Sequence, residues 1–268
     1  MQAFKGQKTL RYKLVNTTRW KKWFSCPRRN IKASLKLFCF PYAGGNSQIY
    51  RGWPYKLPET VEVYAVNLPG RGMRLREPPI TRLTPLVHEI AEAILPELDR
   101  PFAFFGHSMG ALIAFELAHH LRKQDQLSPA HLVVSGRRAP HLPNTDPQTH
   151  DLPDEEFLEE LHRLNGTPKE ALEHPELMEL MLPILRADFG LCETYTYEAR
   201  PLLDCPIAAF GGLQDNDVSR EHLEGWRAHT SSSFKMSMLP GDHFYVHTAQ
   251  SLLLKAVSQL LTYDHRIA

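Results

Sequence analysis

The chain has 268 residues, enough for one domain with a sizeable core. Apolar residues make up 43% and charged residues 23%, an ordinary balance for a globular protein, and no run approaches the ~18 apolar residues of a membrane-spanning helix. The formal net charge of +1 conceals an asymmetry: residues 1–34 hold ten of the 31 Lys and Arg and no acid, which leaves 21 basic against 30 acidic residues in the rest.

That basic segment lacks the long apolar stretch of a secretory signal. It is expected to be a disordered extension, although Trp20, Trp23 and Phe24 within it could touch an anionic surface or nucleic acid. From Leu35 to the end the chain reads as a single α/β domain. Short apolar runs predict strands at LKLFCF (35–40), VEVYAV (61–66), FAFF (102–105), HLVVS (131–135), PIAAF (206–210) and FKMSML (234–239). Helices are predicted between several of them. One is capped by Thr84 with Pro85 at its first position and Leu86, Ile90, Ile94 and Leu98 on one face; another runs from Met109 to about Arg122, and the last from about Thr248 to Leu261. Strands alternating with helices imply a mostly parallel twisted sheet covered on both faces, with its site at the carboxyl ends of the strands. The rhythm breaks over about 151–199, where two amphipathic helical segments predict a helical insertion, a natural lid.

The four cysteines, Cys26, Cys39, Cys192 and Cys205, are scattered without a Cys-x-x-Cys pair. Neither a zinc site nor a disulfide framework is expected, and the setting expected is reducing and cytoplasmic.

Gly106-His107-Ser108-Met109-Gly110 follows a predicted strand and opens a predicted helix, the context of a nucleophile held on a tight corner. A serine hydroxyl needs a base to take its proton, and in such folds the partners follow in the order Ser, Asp or Glu, His. His243, in the loop after the last strand, is the preferred base, with His247 the rival at the start of the last helix; His107 is too close to Ser108 along the backbone. Asp215, past the strand PIAAF, is the preferred acid, with Asp217 in reserve. Two backbone amides should face the oxyanion: Met109, next to the nucleophile, and Ala43, in the loop FPYAGGNS, where Gly44 and Gly45 give the backbone freedom.

LFCFPYAGG, LPGRGMRLREPP, FAFFGHSMGALIAFELA, LPILRADF with ETYTY after it, FGGLQD and LPGDHFYV occur in this order and span about Leu37 to Leu261. On these blocks the chain resembles the type II thioesterases of nonribosomal peptide and polyketide biosynthesis, relatives of the medium-chain acyl thioesterases of fatty acid synthesis. The resemblance implies an α/β-hydrolase fold. It places the family's nucleophile, acid and base on Ser108, Asp215 and His243 and its oxyanion donors on Ala43 and Met109. It also implies hydrolysis of acyl groups from the phosphopantetheine arm of carrier proteins, with no metal or other cofactor of its own. Apart from the resemblance, a monomer is the default expectation, and no nucleic acid is expected to bind the folded part, which is acidic. Met178, Leu180, Met181, Leu182, Ile184 and Leu185 are candidates to line an acyl pocket, and Arg71, Arg74 and Arg76 to steer an acidic carrier protein. The basic extension falls outside the family pattern. A carboxylesterase or lipase, an acyltransferase, and a carrier-binding protein with a decayed site are the competing readings.

Overall fold

The computed structural model describes residues 19–143, 147–164 and 174–263. Its centre is a seven-stranded sheet of β1 (Phe24–Ser25), β2 (Leu35–Phe40), β3 (Val61–Val66), β4 (Phe102–His107), β5 (His131–Ser135), β6 (Ile207–Gly212) and β7 (Phe234–Leu239). The spatial order is β1-β3-β2-β4-β5-β6-β7, and every neighbouring pair is parallel except β1 with β3. Every residue of β2 through β6 is buried, as expected of strands covered on both faces.

Alternation along each strand feeds two cores. Phe38, Phe40 and Phe104 point to the side covered by α1 (Leu83–Ile94) and α2 (Met109–Asp125). Leu37, Cys39 and Phe105 point to the side filled by Tyr50, Trp53 and the last helix, here α7 (Gln250–Tyr263). The strand order turns at β2, which has β3 on one side and β4 on the other. The loops after β2 and β4 therefore face one crevice at the carboxyl ends of these strands; Phe40 and Gly106 are direct neighbours at that end.

The start of the first helix and the basic extension differ from the sequence expectations. Helix α1 begins at Leu83 with Arg82 as its N-cap, not at a Thr84 cap; Pro85 is tolerated because first-turn amides have no intrahelical acceptor. The larger correction concerns the basic extension. Residues 19–34 are ordered, and Trp20, Trp23 and Phe24 are at most 6% exposed; all three join the core, with Trp20 packed on Phe38 and Tyr64 and Phe24 on Phe38. Strand β1 pairs Phe24 with Val66 and covers the edge of β3. Arg19 pairs with Glu89 and Glu92, and the Arg74 guanidinium stacks 4.0 Å from the Trp23 ring. Charge composition suggested a solvated tail, but three aromatic rings supply enough apolar area to seat it. Residues 1–18 lie outside the described residues. Trp23→Ala is expected to cost about 3–5 kcal/mol, measured as a lower urea midpoint; an unchanged midpoint would show that this segment does not belong to the folding unit.

Between β5 and β6 the described residues contain α3 (Asp154–Leu164) and α4 (Pro175–Glu193). Phe157 and Leu161 of α3 pack with Met178 and Leu185 of α4 in a small core of their own, with Met181 and Leu182 partly buried beside it. Leu180, a candidate pocket residue, is instead 57% exposed. After β6 come α5 (Arg220–Glu224) and, following β7, the single turn α6 (Tyr245–Thr248). No helix among the described residues is long and apolar enough to cross a membrane.

Candidate active site

Ser108 sits between the end of β4 and the start of α2 with φ +52° and ψ −114°, a backbone conformation that L-residues rarely adopt. The amide of Ser108 donates to the Ser135 carbonyl at 2.7 Å, which pins the corner to β5. The flanking glycines are sterically required. A Cβ on Gly106 would lie 2.1 Å from the Gly110 carbonyl oxygen, and one on Gly110 would lie 2.1 Å from the Phe40 carbonyl oxygen. The strand, the helix and β2 thus meet at a distance no side chain permits.

The loops after β6 and β7 are laced together. The amides of Leu213 and Gln214 donate to the carbonyls of Leu239 and Gly241, and the Gly241 amide donates back to Gln214 Oε1. This lacing brings Asp215 to His243: Asp215 Oδ2 accepts from His243 Nδ1 at 2.7 Å, with the Asp215 side chain fully buried and that of His243 18% exposed. Asp215 Oδ1 accepts from the amides of Asp217 and Val218. Burial alone would raise the Asp215 carboxyl, but the hydrogen bond and charge of His243, together with those two amides, outweigh it and hold the group below the ordinary carboxylate range. The alternative residues are occupied elsewhere. Asp217 faces Arg163, and His247 Nε2 bonds to the Tyr42 hydroxyl at 2.8 Å.

His107 is the residue that the sequence reading undervalued. Its ring is fully buried, 5.2 Å from the ring of His243, and its Nε2 lies 2.9 Å from the His243 carbonyl oxygen. Its Nδ1 is 2.8 Å from Ser135 Oγ, which in turn bonds the Tyr245 hydroxyl. Burial, reinforced by the neighbouring His243, pushes His107 well below the ordinary imidazole range, so the ring is neutral. Because a carbonyl can only accept, the proton is on Nε2; Nδ1 then accepts from Ser135, and Ser135 from Tyr245. A one-way chain of donors thus runs from Tyr245 to the backbone of His243 and holds that loop beside the Ser108 corner.

Burial likewise pushes His229, 3% exposed, down to about 4, with His141 and Arg200 adding to the effect. The unfolded chain binds protons on such histidines near pH 6.5, where the folded protein does not. Unfolding free energy should be at its full value above that pH. It should fall as pH drops from there toward about 4, by up to about 1.4 kcal/mol per pH unit for each such histidine. Urea midpoints at about pH 7.5 and about pH 5 check this; a midpoint that rises on acidification would contradict it.

The loop after β2 turns tightly. The Gly45 amide donates to the Tyr42 carbonyl at 2.9 Å, and Gly44 has φ +74° at the third position of the turn, where a type II turn requires glycine. In a trans peptide N–H and C=O point opposite ways. Since the Tyr42 carbonyl faces into the turn, the Ala43 amide faces out of it. The Ala43 and Met109 amides have no acceptor among the described residues.

Arg71 and Arg74, expected on a charged rim, are each only 6% exposed. Arg74 is held by Glu77, the Asn67 carbonyl and the Trp23 ring. Arg71 makes a two-pronged ion pair with Asp188 of α4, at 2.5 and 2.7 Å. Of the three arginines only Arg76 is exposed. The block LPILRADF already contained Asp188, but no signal in it gave the residue a partner.

Residues 35–261 match the model of the family described as the thioesterase domain. The chain is 50% identical over 243 residues to a Brevibacillus parabrevis protein named linear gramicidin dehydrogenase LgrE, covering 90% of this chain and 92% of that protein. In this chain the corner after β4 carries a serine, and none of its glycines form the Gly-x-Gly-x-x-Gly phosphate turn of a dinucleotide site. Among solved structures, RedJ, a thioesterase of prodiginine biosynthesis in Streptomyces coelicolor, is 41% identical with a TM-score of 0.80, covering 85% of this chain and 86% of its own. BorB, a type II thioesterase from the borrelidin biosynthetic cluster, is 34% identical with a TM-score of 0.82, covering 89% and 97%.

Proposed function

The chain belongs to the thioesterase domain family, and from that premise we propose that it is a type II thioesterase that clears acyl groups from the phosphopantetheine arm of carrier proteins in nonribosomal peptide or polyketide synthesis. The observation that carries this reading is the strained Ser108 corner set beside a hydrogen-bonded Asp215–His243 pair, in a family whose members cleave thioesters.

In the proposed cycle His243 takes the proton of Ser108 Oγ as that oxygen attacks the thioester carbonyl carbon. The negative charge gathers on the carbonyl oxygen, where the amides of Ala43 and Met109 receive it. The C–S bond then breaks, and His243 returns its proton to the departing sulfur, leaving an acyl-serine. A water molecule gives its proton to His243 and attacks the same carbon. Collapse of the second intermediate releases the carboxylic acid and restores Ser108. Asp215 accepts the Nδ1 proton of His243 in a hydrogen bond throughout, fixing the tautomer and stabilising the imidazolium. Every step is proton transfer or acyl exchange, so this cycle draws on no metal or redox cofactor. The α3–α4 insertion acts as the lid over the acyl group, and Arg76 remains the arginine able to meet an acidic carrier protein. We place the work of the protein in the cytoplasm, as a monomer beside its synthase.

The test compares an acetyl-loaded carrier protein with a p-nitrophenyl ester, using wild type and Ser108→Ala, with thiol release followed by intact-protein mass spectrometry. Serine-dependent release that favours the carrier substrate is the expected result. Serine-dependent ester cleavage with an untouched carrier would make the protein a general esterase and remove the proposed substrate.

A further inference from the structure

The buried Arg71–Asp188 pair does more than join a loop to a helix. Asp188 Oδ2 also accepts from the amide of Gly44 at 2.8 Å, and Arg71 Nη1 donates to the Gly45 carbonyl at 3.4 Å. Both side chains are nearly inaccessible, Asp188 at 2% and Arg71 at 6%. Two of the three amides in the Tyr42–Gly45 turn are thus spoken for, Gly45 by the Tyr42 carbonyl and Gly44 by Asp188. These bonds fix the peptide planes on both sides of Ala43, and the third amide, that of Ala43, is left facing outward. The same helix presses on the turn with apolar atoms: a Cβ on Gly44 would lie 2.7 Å from Leu185 Cδ2 and 3.9 Å from Met181 Cε. An anion-binding amide is useful only if it already points where charge will develop.

We propose that Asp188, held by Arg71, is a positioning residue that aims the Ala43 amide at the developing oxyanion, so that the oxyanion site is complete only while α4 is docked on the turn. The inference rests on the acyl-serine reading above. It assigns a catalytic consequence to a charged pair that ties the insertion to the loop after β3, and it couples docking of α4 to stabilisation of the transition state.

The experiment removes the anchor without leaving a buried charge unpaired. The double variant Arg71→Met with Asp188→Leu is compared with wild type, Asp188→Leu, Asp188→Asn and Ser108→Ala. Three quantities are read: kcat and KM on a p-nitrophenyl ester, the inhibition constant of an alkyl trifluoromethyl ketone, and the thermal midpoint. The ketone carbon accepts Ser108 Oγ, and the resulting hemiketal oxyanion uses the same amides as the transition state. In the double variant kcat should fall about 10- to 100-fold with KM near wild type, somewhat less than outright loss of one oxyanion donor. Ketone binding should weaken by a similar factor, while the thermal midpoint stays near wild type. Asp188→Asn keeps an acceptor for the Gly44 amide and should lose less kcat than Asp188→Leu. A folded double variant with wild-type kcat and ketone affinity overturns the inference. If the double variant does not fold, the two Asp188 single variants decide it, and equal losses in them overturn it. Turnover that persists in Ser108→Ala would instead refute the acyl-serine reading, whereas a dead Ser108→Ala beside an undiminished double variant refutes only the role of Asp188.

Discussion

Ser108→Ala should lower thioester hydrolysis by a factor on the order of 10⁴ to 10⁶, leaving only what the remaining site can do for a bound substrate. Its effect on stability should be small, because alanine carries the same Cβ through the same strained φ of +52°. Ser108→Gly separates the two roles of the position. Glycine adopts this backbone without the steric cost, which for an ordinary residue is about 1–3 kcal/mol. Against that stands the additional freedom glycine gains in the unfolded chain, about 0.5–1 kcal/mol. Ser108→Gly should therefore be as inactive as Ser108→Ala but more stable than wild type, by up to about 2 kcal/mol. Activity assays beside urea unfolding measure both. A glycine variant no more stable than the alanine variant would mean that the corner stores no strain.

Asp215→Asn is expected to reduce kcat by about 10⁴-fold with the fold retained. Asparagine turned with its amide nitrogen toward His243 would offer a donor where the ring needs an acceptor, favouring the tautomer that cannot take the proton of Ser108. Asp215 also receives the amides of Asp217 and Val218. Burial would raise the group, but the hydrogen bond and charge of His243 with these two amides keep it ionised into the acid range, so its stabilising contribution is present above about pH 4 and is lost as pH falls through its depressed folded value. Asp217→Asn should be close to neutral, since the ion pair that carboxylate makes among the described residues is with the exposed Arg163 at 3.7 Å. Steady-state kinetics on both variants test the assignment; a large loss in Asp217→Asn with Asp215→Asn unaffected would reassign the acid.

The six parallel strands were readable because each is a compact apolar run flanked by turn residues, and their positions at the sheet's carboxyl end follow from the α/β alternation. The seventh strand was not. Strand β1 is two residues long, antiparallel, and set in a segment whose ten positive charges say tail. Its order comes from Trp20 docking on Phe38 and Tyr64 and Phe24 docking on Phe38, contacts with residues distant in sequence. The same limit applies to the charged residues. Ser108, His243 and Asp215 are tied to local patterns, a corner and two loops following strands. Arg71 and Asp188 are 117 positions apart, and no local pattern says that they meet in the interior. His107 matches no such pattern, being the backbone neighbour of Ser108. Its link to His243 runs through a backbone carbonyl, an acceptor present at every residue and so invisible in side-chain identity.

The close approach at Gly106 and Gly110 bears on how such chains drift. Those two positions are fixed by the contact of β4, α2 and β2 and would resist change in a lineage that had lost all turnover, since even a methyl group would force the layers apart. Ser108 is under the opposite pressure, because removing its side chain relaxes the backbone. A paralogue freed from selection for chemistry should therefore keep its paired glycines and lose the residue between them. An intact serine at that position is a record of continued use, which the glycines by themselves cannot provide.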